Sequence, residues 1–403
     1  MLSRNTRLPS VYILLAVVLC SIFYYYRSSI GITYASQGQY DFVRPDNDTS
    51  AANATLGFGG LYVVSGPGSP RRKKLEQAAA VSELTLTIPD QVAWTDEHIA
   101  AFRWPKEEES KIGKGSVMAW LSHHLVLKAF IESGLETALI FEDDVDWDVR
   151  LRTQQIPLAQ KAARALNDAS DLNAAEYPWG STKDWDMLYI GHCGDYFGDL
   201  REGVSVGHHH PSNLQKIKHA IFEDASMPFR TDLHPFTASL LTALGVPEKH
   251  RMIHKSQWPL CSFGYAVTRA GAQKIISDVA PEKEVPARKL IAYDAALLSG
   301  CRDSNEAWSI RCYTVQPELF HHMEGSSIIA LQEETPDHHV FRPPVDAEGL
   351  EQVEFRHETS NIGCGFYSGD FYYDNEQRLN YLREEVGRKG RCLKKGRDSP
   401  DLD

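Results

Sequence analysis

Glu142-Asp143-Asp144-Val145-Asp146-Trp147-Asp148 carries five carboxylates in seven residues, directly after the apolar run Ala138-Leu139-Ile140-Phe141. A short apolar run ending in acids reads as a buried strand that delivers carboxylates to a sheet edge. Acids this close repel one another. They stay ionised together only where a cation sits among them or water reaches them. A divalent cation gripping a diphosphate is the usual chemical reason for building such a place. Within Glu142-Asp143-Asp144, one carboxylate would then take Mn2+ or Mg2+ and another a ribose or a metal-bound water. The cation offsets charge growing on a departing diphosphate. Three readings compete. A calcium loop would need glycine and glutamate where Val149 and Gln155 stand. A glycosidase acid pair needs no metal. An acidic strand end can also simply cap the next helix.

The elements that must position these acids follow from periodicity. Leu61–Val64 reads as a strand and Ser65–Pro70 as a turn-rich loop. Arg71-Arg72-Lys73-Lys74 opens an amphipathic helix to about Ser82, a strand-loop-helix start where a phosphate could dock. A solvated basic helix face is the competing reading. Ala119–Ser133 has helical spacing, holds Ser122-His123-His124 and is stopped by Gly134. Arg150–Asn167 and Arg269–Val279 read as helices, Trp185–Gly191 and Ser262–Thr268 as strands. His208-His209-His210 lies in a polar loop. Alternating strands and helices predict an α/β domain with a largely parallel sheet.

The chain has 403 residues and a formal charge of −12, which argues against nucleic acid as the main partner. Residues 1–10 read as a cytoplasmic tail with Arg4 and Arg7, and residues 11–27 as a membrane signal-anchor. Tyr24-Tyr25-Tyr26 makes a poor cleavage site, so the anchor is preferred over a cleaved signal peptide. Residues 28–56 read as a polar stem with sequons at Asn47 and Asn53. Cys193, Cys261, Cys301, Cys312, Cys364 and Cys392 form an even set suited to an oxidising lumen. Residues 57–347 form the main domain; residues 348–403 read as a peripheral extension with a frayed tail.

Leu121-Ser122-His123, a helix, and then Ala138–Val145 together resemble glycosyltransferase family 25, which includes lipooligosaccharide and collagen galactosyltransferases. Leu61–Val64 with Arg71-Arg72, the Trp185-Asp186 strand, Gly264–Ala272, Ile291-Ala292-Tyr293-Asp294 and Val315-Gln316-Pro317 resemble further segments of that family, in order. Departures are Ser65-Gly66 after the first strand, Met118-Ala119 before the Ser-His helix, and an insertion from about Gly194 to Gln257. The mix resembles a divergent eukaryotic branch.

The resemblance implies a GT-A fold, a Rossmann-like mostly parallel sheet with flanking helices, in a Golgi or endoplasmic-reticulum type II membrane protein. It implies inverting transfer of a hexose, galactose favoured, from a UDP-sugar to a glycan or glycoprotein hydroxyl. Asp294 would be the base; a helix cap is its other reading. Asp143, Asp144 and either His321 or His322 would hold Mn2+ or Mg2+. Glu142, Asp143, Arg71, Arg72, Ser122 and His123 would contact the donor. Trp147 and Trp258 could stack on a sugar, or pack in the core. A silent lumenal binding protein and a glycoside hydrolase are the alternatives.

Overall fold

The computed structural model describes residues 42–43, 50–104, 110–167, 173–197, 210–302, 306–323, 359–367 and 370–394. The expected tail and anchor, most of the stem, and His208 and His209 lie outside the described residues. Among the described residues, no helix is long and apolar enough to cross a membrane.

The strands are β1 (Phe42–Val43), β2 (Gly60–Val64), β3 (Leu86–Thr87), β4 (Thr137–Glu142), β5 (Val145–Trp147) and β6 (Met187–Gly191). They continue as β7 (His219–Glu223), β8 (His250–Lys255), β9 (Gly264–Thr268), β10 (Cys312–Gln316) and β11 (Phe320–His322). All join one sheet in the order β1-β7-β8-β10-β6-β9-β4-β2-β3, with β11 beside β6 and β5 beside β11. β3, β2 and β4 run parallel, as do β6 and β10. β9 lies antiparallel between β4 and β6. The domain is therefore α/β with a mostly parallel, mixed sheet, as the alternation predicts.

The helices are α1 (Arg72–Ser82), α2 (Asp96–Phe102), α3 (Lys114–Ser133), α4 (Ile156–Leu166), α5 (Pro211–Gln215), α6 (Pro235–Ala243), α7 (Arg269–Lys274), α8 (Tyr293–Arg302) and α9 (Glu376–Leu382). On β4, Leu139 and Phe141 join the core beneath α1 and α4, while Ala138 and Ile140 join the opposite core beneath α3 and α8. A strand covered on both faces needs no polar alternation, which is why this run is continuously apolar. Burying a Leu, Ile or Phe is worth about 1.5 to 3 kcal/mol, so cores on both sides fix the register. Gly191 and Gly264 face each other so closely that a Cβ built on Gly264 would lie 2.9 Å from the Gly191 Cα. Only glycines let β6 and β9 meet there.

The insertion gains a structure, and two expectations change. The insertion supplies β7 and β8, which extend the sheet beyond β10. The stem is not wholly separate: β1 pairs with β7, Ala52 N–H donates to the Arg152 carbonyl at 2.8 Å, and Leu56 is buried. The C-terminal extension is not peripheral. Residues 359–367 lie against β5, Cys364 is disulfide-bonded to Cys392, and Leu382 and Val386 pack on Val81 of α1. Its apolar residues are spaced to cover one helix end rather than to build a sheet, so no strand pattern announces the packing.

Candidate functional site

The parallel register aligns Val64 of β2 with Glu142 of β4, so Ser65 and Asp143 leave the sheet side by side. Ser65 Oγ donates to Asp143 Oδ2 at 2.7 Å, and Arg71 Nε donates to Asp143 Oδ1 at 2.9 Å. Arg71 Nη1 also lies 3.0 Å from Asp144 Oδ2. Arg72 turns to the loop, donating to Ser65 Oγ at 3.0 Å and to the Gly66 carbonyl at 3.1 Å. Arg71 thus meets the acids while Arg72 braces the backbone. Both stand at the N-terminus of α1, where the helix dipole favours an anion.

β11 pairs antiparallel with β5, setting His322 opposite Val145 and His321 opposite Asp146. Side chains alternate along a strand, so the two imidazoles part. His322 Nε2 lies 3.2 Å from Asp144 Oδ2. His321 Nδ1 is bound to the buried Glu318 carboxylate, so of the two expected histidines it is His322 that the structure sets against Asp144. Burial pushes the Asp144 carboxyl up, but its hydrogen bond to His322 and the charges of His322 and Arg71 outweigh this and hold it below the usual range. Burial disfavours charge on His322, yet Asp144 and Glu142 prevail and raise its proton affinity. Asp144 Oδ1 is buried without a hydrogen-bond partner among the described residues. An orphaned carboxylate oxygen beside an imidazole suits a hard divalent cation that takes its other ligands from substrate and water. Asp143 fits less well, because both its oxygens are engaged. Among the described residues, no group of three or more His, Cys, Asp or Glu is spaced to hold a metal.

Behind the acids runs a hydrogen-bonded chain. His123 Nε2 is 3.3 Å from Glu142 Oε1, His123 Nδ1 is 3.1 Å from Tyr265 Oη, and Tyr265 Oη is 2.9 Å from Tyr293 Oη. The His123 and Tyr293 rings stack at 4.6 Å. His123 is buried and reaches the site only through Glu142, so a direct donor contact does not follow. Ser122 faces elsewhere: Trp94 Nε1 donates to its hydroxyl at 2.7 Å. Adjacent helical residues point about 100° apart, and here Ser122 turns to Trp94 while His123 turns to Glu142.

Asp294 stands half-buried in the first turn of α8, its Oδ1 accepting from the Ala295 N–H at 2.8 Å. Burial, and then the charge of Glu142, raise its carboxyl above the ordinary range. The charge of Glu142 thus reaches both Asp294 and His322. The buried Tyr189 hydroxyl has no hydrogen-bond partner among the described residues; after burial, the charge of Asp294 is what most raises its proton affinity. Trp147 cannot stack on a sugar: it is fully buried among Phe141, Phe320 and Phe366, its Nε1 bonded to Ser82. Trp258 is half-buried with the Arg302 guanidinium 3.5 Å over its ring.

The acidic run divides in two. Asp146 accepts from the N–H groups of Phe366 (2.8 Å) and Tyr367 (3.1 Å) and from Thr359 Oγ1 (2.8 Å). Asp148 accepts from Arg150 Nε at 2.7 Å and the Cys364 N–H at 2.8 Å. These two acids hold the C-terminal segment and are not part of the cation pair.

Sequence reasoning passed over Ser65, Tyr265, Tyr293 and Glu318. Ser65 had a signal, since it follows a strand that must pair with β4. The chain matches no protein-family model and no curated protein. The family resemblance therefore rests on the motifs quoted above.

Proposed function

We propose that this chain is an inverting glycosyltransferase of GT-A architecture that moves a hexose, galactose favoured, from a UDP-sugar to a glycan or glycoprotein hydroxyl. One observation carries the reading: the orphaned Asp144 Oδ1 sits beside His322 and Arg71 at the end of β4. Asp144 and His322 would hold Mn2+ or Mg2+, which when bound neutralises charge on the diphosphate. Arg71, at the α1 N-terminus, would exchange a carboxylate for a phosphate oxygen. Asp294 would take the proton of the acceptor hydroxyl. The acceptor oxygen then bonds to the anomeric carbon from the face opposite UDP, the bond from that carbon to the diphosphate oxygen breaks, and the configuration inverts. A carboxyl with raised proton affinity is a stronger base once ionised.

The disulfides Cys193–Cys261, Cys301–Cys312 and Cys364–Cys392 support an oxidising, lumenal setting, in keeping with an anchor at residues 11–27 in the Golgi or endoplasmic reticulum. The test is turnover of UDP-galactose, UDP-glucose and UDP-N-acetylglucosamine by the purified full-length protein, with manganese and with chelator. Metal-dependent cleavage of one donor supports the reading. Chelator-resistant hydrolysis of a glycoside in its place would assign a hydrolase. Manganese-dependent UDP binding without turnover, even with acceptor glycans supplied, would assign a binding protein.

A further inference from the structure

Asn53-Ala54-Thr55 is a sequon to which the transferase reading gives no task. The structure sets it on the border of the folded domain rather than in a loose stem. Ala52 N–H donates to the Arg152 carbonyl at 2.8 Å, and Thr85 N–H donates to the Ala54 carbonyl at 2.9 Å, just ahead of β3. The buried Leu56 accepts at its carbonyl from Gln160 Nε2 and from Trp179 Nε1, each at 3.0 Å. The backbone on either side of the sequon is therefore held, while Asn53 itself is exposed.

Between these anchors the chain turns. The Asn53 carbonyl accepts from the Leu56 N–H at 3.0 Å. Asn53 Oδ1 accepts from the Thr55 N–H at 3.1 Å and from the Gly57 N–H at 2.7 Å. An asparagine that bonds the backbone two residues on is a common way to close a turn. The turn uses the amide oxygen alone, and an aspartate would close it as well. Nδ2 is surplus to it, with no hydrogen-bond partner among the described residues. The Thr55 hydroxyl, the other group a sequon requires, lies 3.3 Å from Asn53 Oδ1. A bulky sugar chain has room there: the turn precedes the start of β2 at Gly60, whereas Ser65 meets Asp143 beyond the other end of that strand.

We propose that Asn53 carries an N-linked glycan. Nδ2 bonds to the anomeric carbon of a lipid-diphosphate-linked oligosaccharide, and the bond from that carbon to the diphosphate oxygen breaks. The lipid diphosphate leaves, and one Nδ2 proton passes to the lumenal enzyme that presents the donor. Oδ1 is untouched, so the turn survives the modification. The assignment rests on the lumenal setting of the proposed function and not on transfer activity.

The test uses full-length protein made in a eukaryotic host, treated with peptide N-glycosidase and read by gel mobility and intact mass. Asn47→Asp leaves Asn53 as the remaining sequon, and this variant should lose one glycan on treatment. The glycosidase leaves aspartate where the glycan was, so the treated variant should then match the mass of Asn47→Asp/Asn53→Asp. Thr55→Ser should keep the Asn53 glycan and Thr55→Ala should lose it. Asn53→Asp retains the oxygen that closes the turn, and thermal melting like that of the treated protein verifies folding. An Asn47→Asp protein that the glycosidase leaves unchanged would overturn the proposal. If Asn53→Asp still loses a glycan in that case, Asn47 alone is modified and the lumenal setting stands; if the wild type carries none, that setting falls too. UDP-sugar turnover, read separately, keeps the readings apart. A glycan without turnover leaves the Asn53 site standing and removes the transferase; turnover without a glycan does the reverse.

Discussion

His322 Nε2 lies 3.2 Å from Asp144 Oδ2, and the pairing of β11 with β5 is what brings them together. Each changes the proton affinity of the other in the direction that favours an ion pair. Asp144→Asn is expected to lower manganese-dependent donor turnover at least about 100-fold, and His322→Ala about 10- to 100-fold. His321→Ala should alter metal dependence less than His322→Ala, since it is His322 that lies against Asp144. A manganese titration of turnover, with circular dichroism as the folding control, decides it. Full activity of Asp144→Asn would sink the cation assignment.

Asp294→Asn is expected to lower kcat about 10²- to 10⁴-fold with little change in the donor KM. The base acts only when ionised, and its carboxyl is raised above the ordinary aspartate value of 3.8. Activity should therefore fall, as pH drops, through a midpoint above that value. The acid limb of the kcat/KM profile reads it directly. A variant that keeps both rate and profile would leave Asp294 as a helix cap.

Glu318 offers a pH test of stability. Burial pushes its carboxyl up, but the charge and hydrogen bond of His321, with help from His192 and Asn361, bring it to about 2 from an ordinary 4.5. A carboxyl held lower in the folded state adds stability above its unfolded value, and loses it as pH falls toward the folded one. Denaturant midpoints of the wild type should thus drop between about pH 4.5 and 2. The contribution at neutral pH is on the order of 3 kcal/mol. Glu318→Gln should flatten that slope while lowering stability at neutral pH.

Cys364 and Cys392 close a loop of 28 residues. Cys364→Ser/Cys392→Ser should cost about 3 to 4 kcal/mol by loop entropy. Arg388, on the same segment, pairs with Glu83 just past α1 at 2.6 Å. Loosening the segment frees one end of the helix whose other end carries Arg71. Hydrogen exchange along residues 72–82 should rise in the double variant. Unchanged protection there would show that α1 stands without the strap.

Much of the central sheet could be read from the chain. Leu61–Val64 and Ala138–Phe141 are apolar on both faces because both faces are covered, and Gly134 ends α3 in a left-handed turn as its position suggests. The choice between His321 and His322 could not be read, because it depends on the phase of one short strand against β5. The roles of Asp146 and Asp148 were hidden for another reason. Their partners lie 220 and 216 residues away, in a segment without periodicity. The insertion's strands β7 and β8 pair mainly with each other and with β10, so the family-like segments carry no trace of them.

The distance along the chain between Asp146 and the Phe366 N–H has a consequence for synthesis. At about 5 to 20 residues per second, a ribosome needs roughly 10 to 40 s to make the 220 residues between them. For that interval the strand that begins at Val145 carries buried-type acids with nothing to cap them. The N-terminal half of the sheet therefore cannot finish its own edge as it emerges. Completion waits for Thr359, Phe366 and Tyr367 to be made, so these acids meet their partners long after the strand that bears them has emerged.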